Sequence, residues 1–492
     1  MNRQVAVIGS GIGGLALAIR LQSSGINTTI IEARDKPGGR AYHWELDGHK
    51  FDAGPTVITD PACLRELWEM TGADMAADVE LLPVSPFYRL SWPDGSTFDY
   101  VNDDDQLSEQ IQRLEPRDVE GYRRFLDYSA GVYSAGYERL GAVPFLDFRS
   151  MLRAAPQLAR HGAWRSVYSV VSRFVRNEKL RQALSFHSLL VGGNPMTTSA
   201  IYALIHKLER DGGVWFAKGG TNRLVAGMVR HFERLGGTLL LGENVAEIET
   251  SENRATRLRA KSGWTATFDA IASNADVVRT YEILRHERAA RSTRKLRGKK
   301  FSPSLFVLHL AADKRWPGIA HHNILFGPRY AELLSDIYRG SRPPLDPALY
   351  VHNPAATDDE AAPAGRSTFY ALAPVPHLGR TSLDWDEEGP RYAERIIDII
   401  EDRLLPGLRD RIVHQFHFTP ENFSQELNSH LGSAFSLEPR LTQSAFFRVH
   451  NRDDAIHNLY FVGAGTHPGA GIPGVVASAK ATAGLMLRDL AA

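Results

Sequence analysis

Four glycines, Gly9, Gly11, Gly13 and Gly14, follow the apolar run Val5–Ile8 at the start of this 492-residue chain, and Glu32 stands eighteen positions after Gly14. In a strand–turn–helix unit, the first glycine permits a tight turn, the second lets the backbone approach a pyrophosphate, and the last lets helix and strand pack closely. Ile12, Leu15, Ala16 and Ile19 supply the apolar face of the helix, Gly25 ends it, and Thr28–Ile31 forms the next strand. The free N–H groups and positive dipole at the helix start suit phosphate. Glu32 then falls where a carboxylate accepts hydrogen bonds from ribose hydroxyls, which disfavours a 2′-phosphate and hence NADP. The pattern predicts dinucleotide binding and does not separate FAD from NAD.

A second glycine-rich turn lies near the other end, from Gly463 through Thr466, His467, Gly469 and Gly471 to Gly474. It follows the strand-like Asn458–Val462 and precedes a helix in which Pro473 occupies the first turn. The positive helix end would face whatever lies over Gly469–Gly471, and a reduced flavin, negative at its N1–C2=O edge, is stabilised by such an end. Thr466 and His467 read equally well as loop formers, and no acid–base pair is assigned. The catalytic side chains stay unknown at this level.

The elements that position these turns are scattered. A helix with Leu224, Met228 and Phe232 leads through Gly236-Gly237 to the strand Thr238–Leu241, and a hairpin turns at Ser262-Gly263. Ala270–Asp276 reads as a buried strand with a polar exit. The expected organisation is an α/β protein: a discontinuous doubly wound dinucleotide domain from residues 1–75, 215–290 and 441–492, and a mixed α+β substrate domain from 76–214 and 291–440. Helices are expected over 120–210.

Composition narrows the function. Lys+Arg and Asp+Glu balance at 57 each, so no global field points to nucleic acid. A single cysteine, Cys63, excludes an internal disulfide framework and any multi-cysteine metal site, and no metal ligand set is assigned. The first strand starts so close to Met1 that no signal or transit peptide is expected, and no apolar run is long enough to span a bilayer.

The N-terminal glycines, Arg34–Arg40, Phe51–Pro55 and Gly463–Gly474, together with Pro116–Tyr122 and Phe186–Pro195, resemble the bacterial-type phytoene desaturases, FAD-dependent carotenoid enzymes. The resemblance runs nearly the whole length. It implies FAD pyrophosphate contacts at Gly9, Gly11, Gly13 and Gly14, adenosine ribose at Glu32, and further diphosphate and flavin contacts at Gly38, Gly39 and Arg40, with Gly54 beside them. It also implies adenine against the Val245 backbone, and flavin lined by Gly463, Gly465, Gly471 and Ile472. The implied substrate is 15-cis-phytoene, taken through later carotene intermediates to lycopene. Oxygen and a quinone both remain open as electron acceptor. Other carotenoid oxidoreductases (a three-step desaturase, a dehydrosqualene desaturase, an isomerase) and a non-catalytic isoprenoid-lipid-binding relative are the competing readings.

Such a substrate does not cross water freely. At roughly 0.8 kcal/mol per CH2-sized group, releasing a forty-carbon polyene costs on the order of 30 kcal/mol. Residues Phe148–Asn177 contain no Asp or Glu, while Arg149, Arg153, Arg160, Arg165, Arg173 and Arg176 alternate with Leu152, Leu158, Trp164, Val167 and Phe174. Arginines and interfacial aromatics suit a helix lying on anionic lipid, and Pro156 and Gly162 are expected to divide it. The expected location is peripheral, on the cytoplasmic face of a membrane. A core helix with one solvated arginine face is the plain alternative.

Overall fold

The computed structural model describes residues 3–491. Five parallel strands form its first layer, in spatial order Leu459–Phe461, Ala270–Ser273, Gln4–Ile8, Asn27–Ile31 and Thr238–Leu240. Val5–Ile8 is buried on both faces, which is why it reads as an unbroken apolar run rather than an alternation. Val5 and Val7 pack on the helices Ile12–Ser23, Thr221–Arg234 and Ile472–Ala491. Ala6 and Ile8 join a different cluster, built from Val245–Ser251, Arg254–Ala260 and the helix Val277–Ile283.

That second cluster corrects the expected doubly wound layout. Helices cover one face, whereas a four-stranded sheet covers much of the other, with Thr265–Thr267, Arg254–Ala260 and Val245–Ser251 antiparallel and Leu284–Arg285 added in parallel. The crossover after Thr238–Leu240 is made of strands because Ser262-Gly263 turns the chain back, with Gly263 at φ +95°, before a helix can form.

A seven-stranded mixed sheet forms the second large layer: Ile412–Phe418, Ser304–Ala312, Ser367–Val375, Leu349–His352, His322–Leu325, Tyr88–Ser91 and Thr97–Tyr100. Ser304–Ala312 is buried at every position, so this apolar run is a core strand. Among the described residues, no helix is long and apolar enough to cross a membrane.

Helices over residues 104–133 and 167–212 share a core with the end of this sheet that carries Tyr88–Ser91 and Thr97–Tyr100. The buried Asp118 carboxylate accepts the N–H groups of Arg176 and Asn177, each at 2.8 Å, and so ties the helix Asp118–Tyr133 to the start of Glu178–Ser185. The acid-free segment forms the helix Phe148–Arg160, capped by Asp147, whose side chain accepts the Ser150 N–H. Pro156 stands inside this helix and does not divide it. Leu152 and Pro156 both face outward, so the carbonyl that Pro156 leaves without a donor lies on the solvent side. Gly162, at φ +63°, supplies the stop.

Candidate cofactor and substrate site

One cavity of about 610 Å³ runs from the carboxyl ends of the parallel strands into the space between the mixed sheet and the helices. Gly9, Gly11, Gly13, Glu32, Gly38, Gly39, Arg40, Gly54, Val245, Gly471 and Ile472 line it. The two glycine turns, about 450 positions apart, therefore face one space.

The helix Ile12–Ser23 begins at Gly11 with no side-chain cap, which leaves its first N–H groups available to an anion. A Cβ on Gly39 would stand 3.4 Å from the Gly11 Cα, and one on Gly54 would stand 2.5 Å from the Arg40 carbonyl oxygen. Two backbone turns thus meet with no room for side chains between them. Glu32 is buried: its Oε2 accepts from the Ser10 N–H at 2.9 Å and the Ser10 hydroxyl at 2.6 Å, and its Oε1 accepts from the Arg34 N–H at 3.0 Å. These bonds fix the rotamer and leave lone pairs for sugar hydroxyls.

Arg40 reaches Ser429 Oγ at 3.4 Å and the Ser433 carbonyl at 3.5 Å, but its Nε is buried without a partner, and burial lowers its pKa against the opposing pull of Asp276. Asp276 Oδ2 and Arg279 Nε, on residues that also line the cavity, are unpartnered as well. Orphaned guanidinium and carboxylate atoms around a glycine cradle fit the diphosphate and sugar of a dinucleotide.

Gly14, Gly463 and Gly465 stand just behind the residues that line the cavity. Gly14 packs against Asn274 and the Gly9 carbonyl, so a side chain there would part helix from strand. Gly463, at φ +100°, gives its N–H to the Ser478 hydroxyl at 3.1 Å, and a Cβ on Gly465 would stand 2.5 Å from Val277. The three glycines shape the turns from behind.

Sequence reasoning passed over two residues here. Asn274, at the end of strand Ala270–Ser273, lies against Gly9, Gly11, Gly13, Gly14 and Gly463, and its Nδ2 donates to the Val462 carbonyl at 3.1 Å, joining both glycine turns. Its signal was its place at the carboxyl end of a parallel strand, where such sheets bind ligands. Buried Arg448 donates to the carbonyls of Thr466 at 3.0 Å and Leu437 at 3.3 Å, and also to Ala464, holding the C-terminal turn in shape. No sequence signal marked it. His467 donates from Nε2 to the Leu140 carbonyl at 3.0 Å, and burial lowers its pKa to about 4.

Beyond the nucleotide end the lining is apolar, with Phe186, Leu208, Ile324, Phe326, Leu334 and Phe418 among it. Met151 and Leu158, from the underside of helix Phe148–Arg160, reach the same cavity. Glu209 is the exception. Its buried carboxyl accepts from the Tyr88 hydroxyl at 2.7 Å, and Oε2 lies 3.0 Å from His187 Nε2. Burial raises Glu209 to about 7 and lowers His187 to about 3, so His187 is uncharged and this contact is not an ion pair.

A dinucleotide cradle opening on an apolar chamber is the site of a flavin-dependent oxidoreductase, and the chain belongs to the flavin-containing amine oxidoreductase family, whose profile matches residues 12–487. FAD is the cofactor. The fold agrees: an oxidoreductase from Methanosarcina mazei superposes with a TM-score of 0.66 at 17% identity, covering 97% of this chain and 98% of that one. Within the family the chain groups with the phytoene desaturases. It is 60% identical over 487 residues to a lycopene-forming phytoene desaturase of Paracoccus sp., covering 99% of this chain and 97% of that protein. It is 41% identical over 490 residues to a neurosporene-forming one of Rhodobacter capsulatus, covering 98% and 93%.

Proposed function

We propose that this oxidoreductase desaturates phytoene in successive steps to lycopene. The observation that carries the reading is the single cavity joining the dinucleotide cradle to a long apolar chamber. The 60% identity to a lycopene-forming relative supports the number of steps. Bound FAD supplies the hydride acceptor that desaturation of an unactivated CH–CH pair requires.

The chain's own residues bind, orient and exclude water. Gly11, Gly39 and the uncapped helix start hold the diphosphate, Glu32 holds the ribose, and the N-terminus of Ile472–Ala491 turns its positive end toward the cavity. The apolar wall aligns the polyene and keeps water from its reacting carbons, which requires no specific polar contact along its length.

Peripheral attachment to the cytoplasmic face of a membrane belongs to the same proposal. Helix Phe148–Arg160 has only Ala154 buried, Phe148, Leu152 and Trp164 are 51, 57 and 64% exposed, and the arginines around them face outward. This exposure favours the lipid-facing reading over the core helix. Met151 and Leu158 connect its underside to the cavity, a short apolar path from a bilayer.

Expression in cells that accumulate phytoene tests the reading. Lycopene in the pigment extract is expected; neurosporene as end product would assign three steps, and unchanged phytoene beside flavin-loaded protein would remove the proposal.

A further inference from the structure

Thirty positions separate His322 from His352, yet the antiparallel pairing of His322–Leu325 with Leu349–His352 sets them opposite each other, with His321 beside them. One ring nitrogen from each of the three lies within 4.8 Å of the others. All three side chains are buried, at 3, 0 and 1% exposure for His321, His322 and His352. The Nε2 atoms of His321 and His352 are 3.0 Å apart and share a hydrogen bond, so one of them carries a proton that a bound cation would displace.

The hydrogen-bond network determines which nitrogen of His322 is free. The Gly54 carbonyl can only accept, so the Tyr370 hydroxyl, 3.0 Å away, donates to it. Tyr370 oxygen then accepts from the Thr56 hydroxyl at 2.7 Å, and Thr56 accepts from the Tyr350 hydroxyl at 2.9 Å. With its proton spent, Tyr350 accepts from His322 Nδ1–H at 2.7 Å. In neutral His322 the remaining Nε2 is a bare lone pair, and it is buried without a partner. His321 is held similarly, its Nδ1 lying 2.7 Å from the Thr357 hydroxyl.

We propose that His321, His322 and His352 bind a divalent transition-metal ion of the zinc class. Three imidazoles with no thiolate or hard oxygen ligand suit zinc, cobalt or nickel rather than magnesium or calcium. Metal–nitrogen bonds of about 2.0–2.1 Å in a tetrahedron place ligand nitrogens about 3.3 Å apart, near the separation of the His321–His352 pair. A hydrogen bond from the outer ring nitrogen to a second group is the usual support of a metal-bound histidine; His322 has one to Tyr350, and His321 Nδ1 is in hydrogen-bond contact with the Thr357 hydroxyl. The ion would pin two strands of the mixed sheet where Tyr350 forms the cavity wall.

The test uses the full-length, flavin-loaded protein produced with zinc in the medium, desalted, and assayed for metal by plasma mass spectrometry. About one zinc per chain is expected, and Co2+ added to metal-stripped protein should produce d–d absorption beyond the flavin bands. His352→Ala should lose both signals at unchanged flavin content. Tyr350→Phe, which keeps all three imidazoles, should weaken Co2+ binding about ten- to a hundredfold. Wild-type protein with less than a tenth of an equivalent of metal and no Co2+ spectrum overturns the site whatever the variants do. So does His352→Ala retaining full metal.

Discussion

Glu32 and Gly11 act through different physics, and their substitutions should fail differently. Glu32 carries charge-assisted hydrogen bonds, which are worth roughly 1.5–3 kcal/mol each, so Glu32→Ala should weaken FAD about ten- to a hundredfold, as read by flavin titration. An unchanged dissociation constant would mean the carboxylate serves only Ser10 and the Arg34 backbone. Gly11 acts by leaving space: a Cβ there would stand 2.7 Å from Asn274 Oδ1, and Gly11→Val should yield folded, flavin-free protein by absorbance ratio. Glu209 has its effect through pH. Its native pKa of about 7 exceeds the ordinary 4.5, so the native state keeps a proton that the unfolded chain releases. Its contribution is therefore complete below about pH 4.5, declines as pH rises, and levels off above about 7. Glu209→Gln keeps an acceptor for Tyr88 and does not titrate; relative to wild type it should gain on the order of 3 kcal/mol between about pH 5 and pH 8, measured by denaturant unfolding. A pH-independent difference would show that Glu209 is ionised throughout.

At the scale of elements, helix Phe148–Arg160 turns Met151 and Leu158 toward the cavity and leaves Phe148 and Leu152 more than half exposed. The exposed arginines of this helix and of the segment that follows it would each contribute about 1 kcal/mol near anionic headgroups, so replacing Arg160, Arg165 and Arg173 with Glu should lower liposome binding by orders of magnitude. Flavin content should hold, since these residues lie outside the cradle. Equal sedimentation of variant and parent with anionic liposomes would assign the docking surface elsewhere. Amphipathic spacing favoured a surface helix and left a core helix as the alternative, because both bury one stripe; which stripe is covered depends on neighbours distant in the chain. Pro156 misled for a related reason, since a proline ends a helix only where the freed carbonyl has no other partner, and solvent provides one here.

For the whole molecule, the cavity's apolar chamber and the insolubility of a long polyene lead to one expectation: purified enzyme should desaturate phytoene supplied in liposomes and show little turnover with phytoene dispersed in detergent-free buffer, scored by chromatography of the carotenes. Equal rates in both would mean that substrate does not enter from a bilayer. Some of this molecule was determined by local sequence. Gly9–Gly14, Glu32 and Gly463–Gly474 identify their turns because strand, turn and helix lie within a few residues of one another and only glycine meets the backbone conformation and close approach required. Other features were decided by tertiary structure alone. Asn274 joins the two glycine turns only once Ala270–Ser273 pairs between Gln4–Ile8 and Leu459–Phe461. Gly463 and Gly465 prove to support the turn from behind because their positions relative to Asn274 and Val277 depend on packing. His322 and His352 meet through strand register, and a contact between residues thirty apart leaves no period or motif in the chain, since the energy that selects it is the burial of the whole sheet.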